Sequence, residues 1–460
     1  MFQYKHDDDE SSFSLVDNRP KPKNKFRTKT FVRRTQNNWN NNYNRNGWRG
    51  RGRGGKSWQN NNRKRWGYNN YENRDFVRDP SVDLDESWPL VETFEFTELN
   101  EATGYRPAPA ENLVECGQLE YYDGKFDRIS PKQPIALHRF ETRQHFTVTT
   151  SQDPVLQRLA DQGVGNVYAT DTILAILMAS PKSVNSWDLL VRKEDGNIFI
   201  DKRTNSKIDF LSVNENWNEP NSGEKDAINA AQSLAREATL INHNFSQQIL
   251  MKDETGVQFK EGNPFASAVE KGSELASVAY RYRKWEFEGI KLVARCSLNG
   301  VCKRKGESAD NAFLVVRALN EFDSKLSGNV DWRQKLESQT GSVLATEMKN
   351  NTNKIARWTA ETVLSGADEF RLGFVSRVNT KDSFRHSVLM TKRYDPKTFA
   401  QSVNIKVSQL WGVLRHILTS LRKMEDGHYL LMKDPNKTEL QVYDIPSDAF
   451  DHEDQEPEEN

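Results

Sequence analysis

Three cysteines in 460 residues, Cys116, Cys296 and Cys302, include no Cys-x-x-Cys pair, which excludes a disulfide scaffold and a cysteine-rich zinc site. The eight histidines contain no His-x-x-x-His spacing. No apolar run approaches the length of a transmembrane helix, and the start is polar and acidic, unlike a secretory leader. The expected setting is therefore cytosolic or nuclear, with no membrane partner. There is no GxGxxG, no P-loop and no specific Ser/His/Asp arrangement. The Gly-rich run at 47–55 follows no strand pattern, so it is not a phosphate-cradling loop.

Acidic residues are missing where they would most matter. Between positions 19 and 78 stand eighteen Lys or Arg but only two acids, Glu72 and Asp75, in a chain with 65 basic and 65 acidic residues in all. Aliphatic side chains are almost absent after Val32, whereas Trp39, Tyr43, Trp48, Trp58, Trp66, Tyr68 and Tyr71 interleave with the cations. Such a segment buries too little apolar surface to offset its ordering entropy, so it is expected to be disordered. Cations engage phosphates and aromatic rings stack on unpaired bases, which makes it read as an RNA-binding arm. A solvating linker is the bland alternative, but it needs no aromatics. The compensating acids lie at Asp7–Glu10 and in 448–459.

Ordered structure is expected from about Pro80. Asp153 with Pro154 predicts a helix start, and YATDTILAILMAS a second helix capped by Thr170 or Asp171. WDLLVRK, then Asp195-Gly196, then NIFID predicts a hairpin. A helix over 227–245 carries Leu234, Ala238, Ile241 and Phe245 on one face and Thr239 and His243 on the other, flanked by Asn242. Strands are expected at 276–287, 290–296, 312–319, 370–378 and 386–392. WRQKLESQ reads as a short helix, SVLATEMK as a buried strand and 352–364 as a helix. A helix at 407–424 and a hairpin near 428–443 follow. The fold class is mixed α/β or α+β, with large curved sheets flanked by helices. The connection from Lys207 to Asn221 is long. Lys207, Asp209, Ser212, Asn214, Glu215, Asn216, Asn218, Glu219, Pro220 and Asn221 make it polar, against only Ile208, Phe210, Leu211, Val213 and an exposed Trp217. A loop of this length inside a domain tends to be a functional cover or disordered.

Three constellations carry chemistry. Glu321-x-Asp323 followed by Glu347-x-Lys349 would, on two strand ends, gather three carboxylates and an ammonium, as metal-dependent nucleases do. In a chain with 28% charged residues an ion-paired surface cluster is the commoner meaning. Tyr280, Tyr282, Trp285, Trp332, Trp358 and Trp217 are core candidates that include rings able to hold a cationic base. Thr239, Asn242 and His243 form a polar stripe, either simply solvated or able to bond a base edge or phosphate.

Several exact runs then point one way. ESSFSLVD, ECGQLEYYD, FTVTTSQDPV, GNVYATDTILA, INHNFSQQ, ASVAYRYRKW, VDWRQKLESQ, ATEMKNN and KDPNK resemble, in order, the d-type family of subunits of eukaryotic translation initiation factor three. The resemblance implies an anchoring motif at 1–18, a basic arm at 19–79, a cap-binding domain at 80–446 and an acidic tail at 447–460. It implies a domain like the decapping exoribonucleases that binds the 7-methylguanosine cap of mRNA and uses no cofactor. The e subunit of the complex and the small ribosomal subunit are the implied partners, in the cytoplasm. Cap contacts are implied at Asp171, Val184, Asn185, Thr239, Asn242 and His243, with 207–221 as an RNA gate. The family usually carries an aromatic residue where this chain has Asn185, and a longer segment before ESSFSLVD. The competing reading is a metal-dependent RNA nuclease or decapping enzyme using Glu321, Asp323, Glu347 and Lys349.

Overall fold

The computed structural model describes residues 78–204, 206–216, 228–304 and 310–450. The expected anchoring motif, the basic arm up to residue 77, gate positions 217–221 and the acidic end from 451 lie outside them.

Strong local signals form the elements they announce. Helix α1 spans Phe96–Glu101, and α2 spans Pro154–Asp161, where the Asp153 carboxylate accepts from the Val155 and Leu156 amides. Helix α3 (Asp171–Met178) starts at Thr170, whose hydroxyl accepts from the Ile173 amide. The cap is the expected Thr170, and the preceding Val167–Thr170 is a strand, because its four buried residues fill a central sheet position. Asp195 and Gly196 both adopt positive φ, 49° and 76°, and turn strand Trp187–Glu194 into Asn197–Asp201.

Among the described residues, nine strands make the first sheet and seven the second. The spatial order in the first is Leu90–Glu95, Glu439–Ile445, Gly427–Lys433, Trp187–Glu194, Asn197–Asp201, Val167–Thr170, Ile290–Leu298, Ala279–Phe287 and Glu111–Cys116. In the second it is Ile135–Ala136, His386–Tyr394, Glu369–Arg377, Asn311–Glu321, Gly300–Lys303, Gln118–Tyr122 and Leu250–Gln258. Both sheets mix parallel and antiparallel pairs. Helix α4 (Ala231–Gln248) lies on strand Asn311–Glu321 and places Leu234, Ala238, Ile241 and Phe245 in the core.

Strands Asn311–Glu321 and Glu369–Arg377 run parallel and so need a crossover, which helices α5 (Trp332–Asn350) and α6 (Thr352–Ser365) supply. Here the expectation of a strand at SVLATEMK is corrected. Val343, Leu344 and Glu347 are buried at helical spacing, and the short helix and supposed strand merge into α5 across a kink at Gln339. Helix α6 packs on α3, which in turn meets α8 (Val407–Leu421), past α7 (Pro396–Ser402). From strand Ala279–Phe287, Arg281 and Arg283 donate to the Ser365 and Leu364 carbonyls at 3.1 and 2.6 Å, closing the C-terminus of α6 with positive charge. At the far end Phe450 packs edge-on against Trp88, with ring centroids 5.7 Å apart.

Candidate ligand-binding site

A cavity of about 210 Å³ opens between the two sheets, walled by α4 and α6. Thr239, Asn242 and His243, within about one turn of each other on α4, share one wall of it. Facing residues come from strand Ile290–Leu298 and its extension, where Arg295, Ser297 and Asn299 alternate onto one face. Helix α6 adds Arg357, Trp358 and Glu361 at helical spacing. Ile208, Asp209 and Leu211 close one side.

The three α4 residues differ in what they have left to offer. Asn242 ties the helix to the sheet: its amide oxygen accepts from the Ala318 amide at 2.9 Å, and its NH₂ donates to the Ala318 and Ala238 carbonyls at 2.9 and 3.1 Å. The Thr239 hydroxyl donates to the Ala235 carbonyl at 2.8 Å and accepts from the Leu211 amide at 3.0 Å. His243 stacks on His145, with centroids 4.0 Å apart and planes 8° apart. Burial pushes His243 down to about 4; burial and the neighbouring ring push His145 down to about 3. Both rings are therefore neutral at physiological pH, flat and able to donate or accept one proton.

Asp171 stands apart from this wall. It is buried, and its carboxylate accepts from the Thr172 and Ser297 amides at 2.9 and 2.8 Å, so it organises the start of α3 and the neighbouring strand. Burial, reinforced by Glu361, raises its pKa. Val184 and Asn185 line a separate recess of about 70 Å³ with Phe210, Glu215 and Arg357. There Arg78 donates to the Val184 carbonyl, the Asn185 amide oxygen and the Glu215 carbonyl at 2.6, 3.2 and 3.0 Å. Ile208 and Arg357 border both the recess and the larger cavity.

The segment expected to be a functional cover or disordered is pinned over residues 206–216. Lys207–Asp209 forms a 3₁₀ turn with Ile208 buried. Glu215 is also buried, and its two carboxylate oxygens accept from the Asn353 and Lys354 amides, both at 2.9 Å. It thus caps α6, whose own N-cap residue Asn351 makes no side-chain cap bond.

The acid-rich constellation does not assemble as a metal site. Because α5 is helical, Glu347 points inward and Lys349 is exposed. Asp323 accepts from the Lys325 amide at 2.9 Å, closing a local turn, and Glu321 from the Trp332 amide at 2.9 Å, at the start of α5. Among the described residues no three His, Cys, Asp or Glu side chains group to hold a metal ion. The cation that faces Glu347 is Lys354, which also donates to the Ser212 carbonyl at 2.8 Å. Sequence reasoning missed Lys354, His145, Arg295, Arg317 and Arg357. A charged residue inside the apolar run IKLVARC was the available signal for Arg295, and the i, i+4 spacing of Arg357 and Glu361 for the helix pair.

Together these features define a mixed α/β domain built around a polar, cation-rich ligand cavity. The sequence profile described as Eukaryotic translation initiation factor 3 subunit 7 (eIF-3) matches residues 1–444, and the chain belongs to that family. Relatives named as the D subunit of eukaryotic translation initiation factor 3 include one from Nasonia vitripennis, 41% identical over 99% of this chain and 82% of its own. Another, from Arabidopsis thaliana, is 47% identical over 81% of this chain and 62% of its own length. Among solved structures, Rai1 of Scheffersomyces stipitis in complex with (3'-NADP)+ and calcium ion is 11% identical, covering 81% of this chain and 95% of that one, with a TM-score of 0.49. No helix among the described residues is long and apolar enough to cross a membrane.

Proposed function

We propose that this chain is a cytoplasmic initiation-factor subunit that binds the 7-methylguanosine cap of mRNA and helps to bring capped message to the small ribosomal subunit. The e subunit and the other members of the initiation factor 3 complex are its proposed assembly partners. The observation that carries the reading is the shared cavity wall of Thr239, Asn242 and His243, which faces Trp358, Tyr280 and the carboxylate of Glu361. A methylated guanine is flat, cationic and rich in N–H donors. Aromatic faces attract its charge and carboxylates accept its N–H groups.

The gate follows from the partition at Ile208. At about 210 Å³ the cavity lies below the roughly 300 Å³ at which ligand pockets usually begin. Lifting residues 206–211 removes Ile208 from between the cavity and the recess. Val184, Asn185, Thr239 and His243 then border one cleft, and the Thr239 hydroxyl is released from Leu211. In this reading Asn242 and Asp171 position the walls, and His243 and Thr239 meet the ligand. In this proposal the chain acts as a binding module rather than a nuclease, in keeping with relatives named as initiation-factor subunits.

Crosslinking of the assembled complex to cap-labelled RNA tests the proposal. His243→Ala should reduce capped-RNA crosslinking several-fold while leaving uncapped RNA unchanged. Equal labelling of capped and uncapped RNA by the parent protein would end the cap assignment.

A further inference from the structure

Two arginines of the cavity wall are under-used. Arg295 is only 5% exposed, and its Nε–H is buried without a hydrogen-bond partner among the described residues. Its other contacts are long: Nη1 to Asp153 at 3.4 Å and Nη2 to the Val148 carbonyl at 3.5 Å. Asp153 is itself committed elsewhere, accepting from the Val155 and Leu156 amides at 2.9 Å each and from the Tyr282 hydroxyl at 3.0 Å. Among the described residues Arg357 donates once, to the Ile208 carbonyl at 3.3 Å. A guanidinium has five donors, so both groups retain capacity for a ligand, and for the buried Arg295 Nε the unmet bond is costly.

The remaining charges of the wall cancel in pairs. Lys202 bridges Asp209, and Arg317 bridges Glu361 at 2.7 Å while also donating to Asn299 and the Val316 carbonyl. That leaves Arg295 and Arg357 as the cations with donors to give. We propose that Arg295 and Arg357 form a phosphate subsite, so that the cavity takes a phosphorylated nucleotide with its base towards Thr239 and His243. The inference rests on the cap-binding reading for the identity of the base, and on the arginines alone for the phosphate. Planar guanidinium forks match phosphate oxygens and discriminate by geometry as well as charge. Burial lowers the pKa of Arg357, a strain that a bound anion relieves.

Calorimetric titration of the full chain with 7-methylguanosine, its 5′-diphosphate and inorganic pyrophosphate decides the matter. The diphosphate should bind at least about tenfold more tightly than the nucleoside, with the advantage shrinking as salt rises. Pyrophosphate should compete with the diphosphate. Arg357→Gln, at a partly exposed position, should remove most of the diphosphate advantage without weakening nucleoside binding. Arg295→Lys keeps the charge beside Asp153 and tests the buried fork separately, with the same expected loss. Equal affinity for nucleoside and diphosphate overturns the subsite and leaves cap binding standing. Pyrophosphate and unmethylated guanosine diphosphate binding as well as the methylated ligand supports the subsite and removes the cap reading.

Discussion

Glu347 puts a carboxyl where water cannot reach it. Burial drives its pKa from 4.5 up to about 7, against the opposing pull of Lys354 and the Asn351 amide, with Glu321 and Glu215 adding to the rise. The folded chain therefore holds this proton more tightly than the unfolded one. Its contribution to stability is most favourable below pH 4.5 and is lost as pH rises to about 7. Glu347→Gln should flatten that part of the stability curve and gain on the order of 1–3 kcal/mol at pH 8, read from urea unfolding at several pH values. An unchanged slope would show that the charge is stabilised by its surroundings. At this scale the sequence was legible only where function follows from local spacing. Thr239 and His243 could be read from a helical repeat. Glu347 was noticed for the wrong reason, since its true partner, Lys354, lies seven positions on, across the α5–α6 junction.

Elements were more legible than the ways in which they lock together. The turn at Asp195-Gly196, the cap at Asp153 and the apolar stripe of α4 all act within a few residues, so pattern alone finds them. The α5 error arose because a five-residue run such as SVLAT suits strand and helix alike, and only burial of Val343, Leu344 and Glu347 settles it. Contacts between elements have no such local signature. A Cβ on Gly373 of strand Glu369–Arg377 would stand 2.4 Å from the Phe245 ring of α4. Gly373→Ala should cost about 1–3 kcal/mol in denaturant unfolding, by levering α4 away from the sheet. Asn242→Ala should cost about 2–3 kcal/mol, because the Ala318 amide and carbonyl lose their side-chain partner. Any loss of ligand binding in that variant then reports a displaced helix. His243→Ala, by contrast, should leave the unfolding midpoint nearly unchanged.

For the molecule as a whole, the striped charge of the sequence implies a division of labour. Under the proposed function, cations at 19–78 would act on any RNA through counterion release, and the cavity on one chemical group. Deleting residues 19–77 should weaken RNA binding broadly and reduce its salt dependence, with the preference for capped over uncapped RNA intact. Loss of that preference in filter binding would place the selectivity in the arm.

The bond from the Leu211 amide to the Thr239 hydroxyl has a kinetic meaning. Under the proposed gate, a ligand donating to this hydroxyl competes with the Leu211 amide for its oxygen, so full engagement waits on release of the 206–211 strap. Its observed association rate should rise with concentration and then level off at the strap's own opening rate, a plateau visible by stopped-flow fluorescence. Under the proposed gate, re-closure over bound ligand would slow escape as well, so one strap would set both residence time and speed of capture.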